Sequence, residues 1–173
     1  MILAVSLFVL LIFSLKNNFV TKNSTYYNVS GYIQPEISSL SLNGFTPISV
    51  SVDAIYLNYA RITLHAGCYE IEANTDPYVA RAIEAGLTHK VYFRPTVYDV
   101  IRDIFENYGI KVLMVKINEV KNNTFIGRLY VQKDNKILAL DVRPSDATAI
   151  ALRMGAPIYM NTTLIKEYGH YIC

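Results

Sequence analysis

The stretch from Leu140 to Tyr159, LDVRPSDATAIALRMGAPIY, constrains the fold more than any other part of this sequence. A strand-like apolar run ends there at a turn that contains two carboxylates and an arginine. Pro144 cannot continue a strand ladder, and its fixed φ angle suits a turn. Small and apolar residues follow at helical spacing until Gly155, which is a typical helix stop. The stretch therefore predicts a strand, a sharp turn and a buried helix in direct succession.

The turn, here called the corner and defined as Asp141 to Asp146, allows two interpretations. In the structural one, Ser145 caps the helix, Asp146 complements the helix dipole, and Arg143 pairs with Asp141 or Asp146. In the functional one, the same groups form the working end of a site. The sequence by itself favours the structural interpretation.

The other strand-like runs are grouped together and do not alternate strictly with helices. The predicted strands read ISVSVDAIYL, ARITLHAG, YEIEA, IKVLMVKINEV, TFIGRLYVQ, KILALDV and APIYM. Turn-forming Asn and Asp residues separate the three long runs in the middle, which predicts an antiparallel meander. The predicted class is α+β, a mainly antiparallel sheet with short packed helices.

Two further helices begin at clear capping signals. Asp76 precedes Pro77, which predicts a helix that runs to Ala85 and stops at Gly86. Thr96 with Asp99 three residues later is a variant of the capping box. The apolar residues of this second helix fall on one stripe, which consists of Val97, Val100, Ile101, Ile104, Phe105 and Tyr108.

The first residues are of a different kind. Met1 to Leu15 is apolar except for two serines, which predicts an N-terminal hydrophobic helix within residues 1–20. The absence of preceding basic residues favours a single-pass membrane anchor over a cleaved signal peptide. The polar, Pro- and Gly-containing residues 21–47 are interpreted as a linker, and residues 48–173 as the folded domain. Lys16 and Lys22 follow the span and favour a cytoplasmic domain, whereas several Asn-x-Ser/Thr triplets leave an extracellular one open.

Composition limits the class of protein without naming a chemistry. A hydrophobic content of 52% and a charged content of 17% exclude a disordered chain. The net charge of +2 does not indicate the concentrated basic face that is usual in nucleic-acid binders. Cys68 and Cys173 are too few for a disulfide framework and lack metal-ligand spacing.

The corner and the residues after it resemble a known family. The segment DVRPSDATAIALRMGAPIYM is similar to the signature of the bifunctional nuclease domain family, in which an Asp-x-Arg-Pro-Ser-Asp-Ala turn precedes a small-residue helix and Gly-Ala-Pro-Ile. KNNTFIGRLYV resembles the family's Asn-Thr-Phe strand, and RPTVYDVIRDIFE resembles its Arg-Pro-x-Thr-His-Asp helix start. The likeness runs from Ile48 to about Tyr168. Tyr98 falls on the family's histidine, and Asp76 stands where a Glu is common.

This resemblance implies hydrolysis of phosphodiesters in DNA or RNA at the corner, a chemistry that usually uses Mg²⁺ or Mn²⁺ held by carboxylates. The implied metal ligands are Asp141, Asp146 and Asp76. The implied catalytic residues are Asp141, Arg143, Ser145, Asp146 and Asp99, with Arg143 as a bidentate phosphate clamp. The alternative is a non-catalytic module of the same fold that oligomerises or binds a ligand. Exposed meander edges favour a homo-oligomer of unspecified size.

Overall fold

A computed structural model describes residues 40–173 of the chain. The predicted hydrophobic helix within residues 1–20 lies outside the described residues, as does most of the predicted linker. Within residues 40–173, no helix combines the length and apolar character that a membrane span requires.

The described residues form eight strands and four helices. In chain order these are β1 (Phe45–Ile55), β2 (Ala60–Ala66), β3 (Tyr69–Thr75), α1 (Pro77–Leu87), α2 (Val97–Asn107), β4 (Lys111–Lys121), β5 (Thr124–Lys133), β6 (Lys136–Val142), α3 (Pro144–Met154), β7 (Ile158–Asn161), α4 (Thr162–Tyr168) and β8 (His170–Tyr171). The order in the sheet is β6-β5-β4-β7-β1-β2-β3-β8. Only the β4–β7 pair is parallel among these strands, so the predicted α+β class is confirmed.

Two meanders, β1–β2–β3 and β4–β5–β6, meet at the short strand β7. The helices supply the other half of the core. Alternate residues of β4, Val115 and Ile117, are at most 2% exposed, and the alanines of α3 at 147, 149 and 151 are fully buried. Small side chains let α3 approach both the sheet and α1 closely, which sets the corner at its N-terminus firmly in place.

The sequence predicted that α1 stops at Gly86, and this was wrong. The helix continues to Leu87, and Thr88 is its C-cap residue. The reason for a glycine is packing against α3. A Cβ atom added at Gly86 would lie 2.8 Å from the Cβ of Leu152, which is closer than real carbon atoms approach.

Gly86→Ala should therefore destabilise the protein by about 1–3 kcal/mol, because overpacking a close helix contact forces backbone shifts. The direction of the change in stability is informative, because replacing glycine by alanine in a helix interior would otherwise stabilise the protein by about 1 kcal/mol. Urea denaturation measures the difference. Glu84→Ala, on the exposed side of the same helix, is the control and should change stability by less than about 0.5 kcal/mol. An alanine variant at position 86 as stable as the wild type would contradict the packing explanation.

The folded part begins earlier than Ile48. β1 starts at Phe45 and pairs with β7 through Phe45, Thr46, Pro47 and Ile48. Residues 45–47, which the sequence placed in the linker, are therefore strand residues, because their partners on β7 lie far away in the sequence. A truncation after Pro47 would remove most of the β1–β7 pairing.

The second helix, α2, begins as its capping signal predicted. The carboxylate of Asp99 accepts hydrogen bonds from the backbone N–H (2.8 Å) and the hydroxyl (2.6 Å) of Thr96. Its apolar stripe is less buried than the spacing suggested. Ile101 and Phe105 pack against the core. The other four residues of the stripe are each 46–65% exposed, namely Val97, Val100, Ile104 and Tyr108.

Cys68 and Cys173 form a disulfide across 105 residues of sequence, a pairing that the sequence did not predict. It ties the turn between β2 and β3 to the C-terminus, where β8 pairs with β3.

Reduction of this disulfide should lower the free energy of unfolding by about 2–5 kcal/mol, because a crosslink across a long loop restricts the unfolded chain. Thermal denaturation with and without dithiothreitol measures the effect as a fall in Tm. The Cys68→Ser/Cys173→Ser double variant should be insensitive to the reductant and should melt near the reduced wild type. Equal melting temperatures for oxidised and reduced wild type would refute this expectation.

Candidate functional site

A cleft of about 520 Å³ lies between the two meanders and opens next to the corner. One wall comes from β2 and β3 and includes Ile62 and Glu72. The other comes from β4, β5 and the turn between them and includes Ile117 and Phe125. Its volume is in the range of pockets that hold small molecules. The cleft thus places an apolar surface beside the polar groups of the corner.

The corner lies at the junction between the end of β6 and the start of α3. Arg143 is the N-cap residue, and Pro144 occupies the first helical turn, where its missing N–H costs nothing. Ser145 therefore lies inside the helix and does not cap it, contrary to the structural interpretation; its side chain lines the cleft. Gly127 on β5 gives Pro144 room, because a Cβ atom there would lie 3.1 Å from Pro144 Cγ.

Asp146 is held by two hydrogen bonds. Arg143 Nε donates to Asp146 Oδ2 at 2.5 Å, which confirms one of the two pairings that the sequence predicted for Arg143. The Tyr98 hydroxyl donates to Asp146 Oδ1 at 2.6 Å. The Arg143 side chain is 70% exposed and also lines the cleft, whereas that of Asp146 is only 20% exposed. Asp146 thus holds the Nε atom of the arginine, and most of the Arg143 side chain remains exposed beside the cleft.

Tyr98, at the position of the family's histidine, is 5% exposed. Burial raises the pKa of the Tyr98 hydroxyl, and its hydrogen bond to Asp146 and the negative charge of that carboxylate raise it further. The hydroxyl therefore stays protonated at all physiological pH values and acts as a donor, not as a base.

Asp99 lies away from the cleft, although the sequence placed it among the catalytic residues. Its carboxylate accepts from Arg153 Nε at 2.8 Å, and the two side chains are only 3% and 4% exposed. Burial raises the pKa of Asp99, but hydrogen bonds from Thr96 and Arg153 outweigh it and hold the pKa at about 2. Asp99 caps α2 and joins it to α3, which is a structural role.

Asp141 is not brought to the cleft either. It is exposed and stands opposite Arg128 in the β5–β6 register. Its neighbours Leu140 and Val142 pack toward the core, and side chains alternate between the two faces of a strand. Asp141 therefore lies on the sheet face opposite α3.

Asp76 is the one predicted metal ligand whose side chain lines the cleft. It is the N-cap of α1, and its Oδ1 accepts the backbone N–H of Tyr78 at 2.8 Å. Across residues 40–173, no three His, Cys, Asp or Glu side chains come together in a group that could hold a metal ion. Asp141, Asp146 and Asp76 thus do not form a preassembled site for Mg²⁺ or Mn²⁺.

Sequence reasoning assigned no role to three other residues of the cleft: Glu72, Phe125 and Tyr168. Phe125 had a signal, because it follows the Asn122–Asn123 turn within the motif that resembles the family. Both asparagines adopt positive φ angles, 48° and 59°, as a tight hairpin turn requires. Tyr168 comes from the last helix, α4, and meets the cleft only through tertiary folding, so no local pattern could reveal it.

A profile of the bifunctional nuclease domain matches residues 59–172, which contain the corner and all the residues that line the cleft. Bifunctional nuclease 1 of Oryza sativa subsp. indica is 35% identical over 79 residues, 44% of this chain and 24% of its own length. Bifunctional nuclease 2 of Arabidopsis thaliana is 32% identical over 88 residues, 49% of this chain and 27% of its own length. An uncharacterized protein of Mycobacterium tuberculosis is 37% identical over 76 residues, 44% of both chains.

This chain therefore covers less than half the length of these relatives. With its corner, its α3 helix and its cleft all inside that match, the chain belongs to the bifunctional nuclease domain family.

Proposed function

We propose that this protein binds nucleic acid at the cleft and hydrolyses a phosphodiester bond beside Arg143. The observation that carries the proposal is the arrangement of this residue, whose exposed guanidinium lines an apolar cleft while Asp146 holds its Nε atom. The rice and Arabidopsis relatives are named bifunctional nucleases, which agrees with that chemistry.

The corner supplies groups suited to a phosphate. A guanidinium can donate two parallel hydrogen bonds to phosphate oxygens, and Asp146 leaves the two terminal nitrogens of Arg143 to do so. Ser145 lines the same cleft, and its hydroxyl would be a further donor. The first backbone N–H groups of α3 carry the positive end of the helix dipole. These donors would bind the phosphate and stabilise the negative charge that grows on it when water attacks.

We propose that the carboxylate of Asp76, which lines the same cleft, activates that water. Its Oδ1 atom is engaged by the N–H of Tyr78, so Oδ2 would accept the proton of a water molecule in the cleft. An oxygen–hydrogen bond of water breaks and its oxygen forms a bond to phosphorus, while the bond between phosphorus and the leaving sugar oxygen breaks and its electron pair stays on that oxygen. The sugar oxygen takes up a proton from solvent, and Asp76 releases its proton to solvent.

Metal dependence is a separate part of the proposal. Since the described residues do not fit a resident ion, we propose that Mg²⁺ or Mn²⁺ arrives with the substrate, because magnesium is often bound through one or two carboxylates and substrate phosphates. The activity of the full-length protein on DNA and RNA, measured with Mg²⁺, with Mn²⁺ and with a chelator, tests both parts. Cleavage under any of these conditions supports the proposed hydrolysis. Cleavage that persists in the presence of the chelator refutes the proposed metal dependence. No cleavage of either nucleic acid under all conditions would overturn the proposed function.

Tyr98→Phe should raise the KM for substrate about tenfold, with a stability loss of about 1 kcal/mol, because the lost hydroxyl leaves Asp146 held by Arg143 alone. Steady-state kinetics and urea denaturation separate the two effects. Since the pKa of Tyr98 is raised, the wild-type pH profile should show no loss of activity from tyrosine ionisation up to about pH 10. Tyr78→Phe, at an exposed neighbouring ring, serves as the control. Unchanged KM in Tyr98→Phe would mean that the hydroxyl does not position Asp146.

The alternative function is a non-catalytic module that oligomerises. It is favoured by the exposed apolar side of α2, formed by Val97, Val100, Ile104 and Tyr108. Such a patch is typical of a contact between protein chains. Sedimentation of wild type and of Val100→Asp tests it: a wild-type oligomer that the variant dissociates supports the alternative, and a monomeric wild type refutes it.

The compartment is also a proposal. The disulfide favours an oxidising environment, and therefore the extracellular orientation that the sequence left open. We propose that residues 1–20 anchor the chain in the membrane with the domain outside the cytoplasm. Protease accessibility of the domain in intact cells tests the orientation, and complete protection would refute it.

A further inference from the structure

We propose that the cleft selects single-stranded nucleic acid, with one unpaired base against the aromatic rings of Phe125 and Tyr168 and the adjoining phosphate at Arg143. The inference rests on the proposed function and names its substrate class.

The aromatic wall is a pair of rings from distant parts of the chain. Phe125 lies at the start of β5 and Tyr168 at the end of α4, with ring centroids 5.6 Å apart and an interplanar angle of 69°. Tyr168 is 42% exposed, so part of its ring faces solvent at the cleft. Aromatic side chains in such positions stack on nucleobases of any sequence, since every base has a π face.

The same cleft contains the phosphate-binding groups of the corner, because Arg143 and Ser145 line it together with the two rings. A nucleotide has the same two parts, a flat apolar base and a charged phosphate. The polar rim adds Asn74 and Asn123, whose amides both donate and accept hydrogen bonds at base edges. A site of this composition suits a nucleotide without selecting a particular base.

The size of the cleft excludes a duplex from the same contacts. Its volume of about 520 Å³ matches one small molecule. In a duplex, neighbouring base pairs cover both faces of every base, so a base could reach the rings only after extrusion, at a cost of a few kcal/mol. A single strand offers its bases without that cost.

The low net positive charge of the chain also favours a single-stranded substrate. Binding that depends on many phosphate contacts requires many cations, but the chain has a net charge of only +2, and Glu72 and Asp76 line the cleft beside Arg143. Stacking must therefore supply much of the affinity. With one phosphate contact on a single strand, log K should fall against log salt with a slope of about −0.7.

Fluorescence anisotropy with the full-length protein tests the inference. The probe is a fluorescein-labelled, cleavage-resistant phosphorothioate oligonucleotide of about eight residues, alone or annealed to its complement. We expect the single strand to bind at least tenfold more tightly than the duplex. Tyr168→Ala should weaken single-strand binding about tenfold, because stacking on one ring is worth about 1–3 kcal/mol. Tyr168→Phe, which keeps the ring, should bind within about twofold of wild type.

Two controls separate stacking from folding. Tyr168→Leu keeps apolar bulk against Phe125 and should lose as much affinity as the alanine variant. Tyr108→Ala removes a tyrosine that is 65% exposed on α2, outside the cleft, and should bind like wild type. Wild-type affinity in Tyr168→Ala and Tyr168→Leu, or equal affinity for single strand and duplex, would overturn the inference.

The two proposals fail differently. If the protein binds the single strand selectively but does not cleave an unmodified strand, the proposed hydrolysis is refuted and the proposed binding site is supported. If the protein cleaves single strands and duplexes at equal rates, the proposed selectivity is refuted and the proposed hydrolysis is supported.

Discussion

Arg143→Ala should reduce nucleic-acid cleavage by the full-length protein at least about a hundredfold, because it removes the group proposed to bind the phosphate and to stabilise its growing charge. Arg143→Lys keeps the charge but loses the planar fork, so it should recover only part of the activity. Stability should change little in both variants. The side chain is 70% exposed, and an exposed ion pair is worth about 0–1 kcal/mol.

Arg61→Ala is the matched control for Arg143→Ala. Arg61 also pairs with an aspartate, Asp53, at 3.8 Å, and is 45% exposed, but it does not line the cleft. Its cleavage rate should equal that of wild type. Equal losses in the two alanine variants would show that the corner has no special part in the reaction and that general positive charge is responsible.

Arg153→Ala should cost about 3–5 kcal/mol of stability, because it leaves the buried Asp99 carboxylate without its cation. Arg153 Nε donates to Asp99, and Nη1 donates to the backbone oxygens of Ala82 at 2.7 Å and Ala149 at 3.0 Å. One side chain therefore joins α1, α2 and α3. Since a domain of this kind has only about 5–15 kcal/mol in total, we expect the variant to be largely unfolded near 37 °C.

Urea denaturation of Arg153→Ala, of a control and of a double variant with its two single variants tests the pair. The control is Arg102→Ala, which breaks the more exposed contact to Asp103 and should cost less than about 1 kcal/mol. The double variant Arg153→Leu/Asp99→Ala should lose less than the sum of its single variants, because neither charge is then buried alone. A loss below about 1 kcal/mol in Arg153→Ala would show that the buried pair does not join the three helices.

The acid limb of the stability curve provides a second measurement on the same pair. The pKa of Asp99 is lowered to about 2 in the folded protein from 3.8. The contribution of this carboxylate is therefore present above about pH 4 and is lost as pH falls toward 2, with a size of about 2 kcal/mol. Asp99→Asn should lack this part of the pH dependence. An unchanged acid limb in that variant would assign the effect to other groups.

Local signals in the sequence were good predictors where the cause was local. The turn at Pro144, the left-handed stop at Gly155 (φ 63°) and the caps at Asp76 and Thr96 all depend on a few neighbouring residues. The strand runs likewise predicted the meander of β4, β5 and β6. These features follow from backbone sterics and from hydrogen bonds within one turn of chain.

The errors arose where the cause lies far away in the sequence. Gly86 is required by Leu152, and Cys68 pairs with a residue 105 positions later. The buried pairing of Asp99 with Arg153 could not be inferred from the residues around either of them. No pattern within one strand or helix reports the element that will pack against it.

The set of site residues shows the same limit. Strand alternation alone indicates that Asp141 points away from the core, because it lies between two apolar residues that face the core. Tyr168 could not have been included, because the approach of α4 to the cleft depends on residues that are distant in the sequence. Arg143, Ser145, Asp146 and Asp76 stay together at or beside the cleft, and these four are the residues on which the account depends.

The most direct test is a crystal structure of the full-length protein with a non-hydrolysable phosphorothioate dinucleotide. The account predicts one phosphate within hydrogen-bond distance of the terminal nitrogens of Arg143, with a base against Tyr168. A dinucleotide bound at any other place, with the cleft empty, would contradict it.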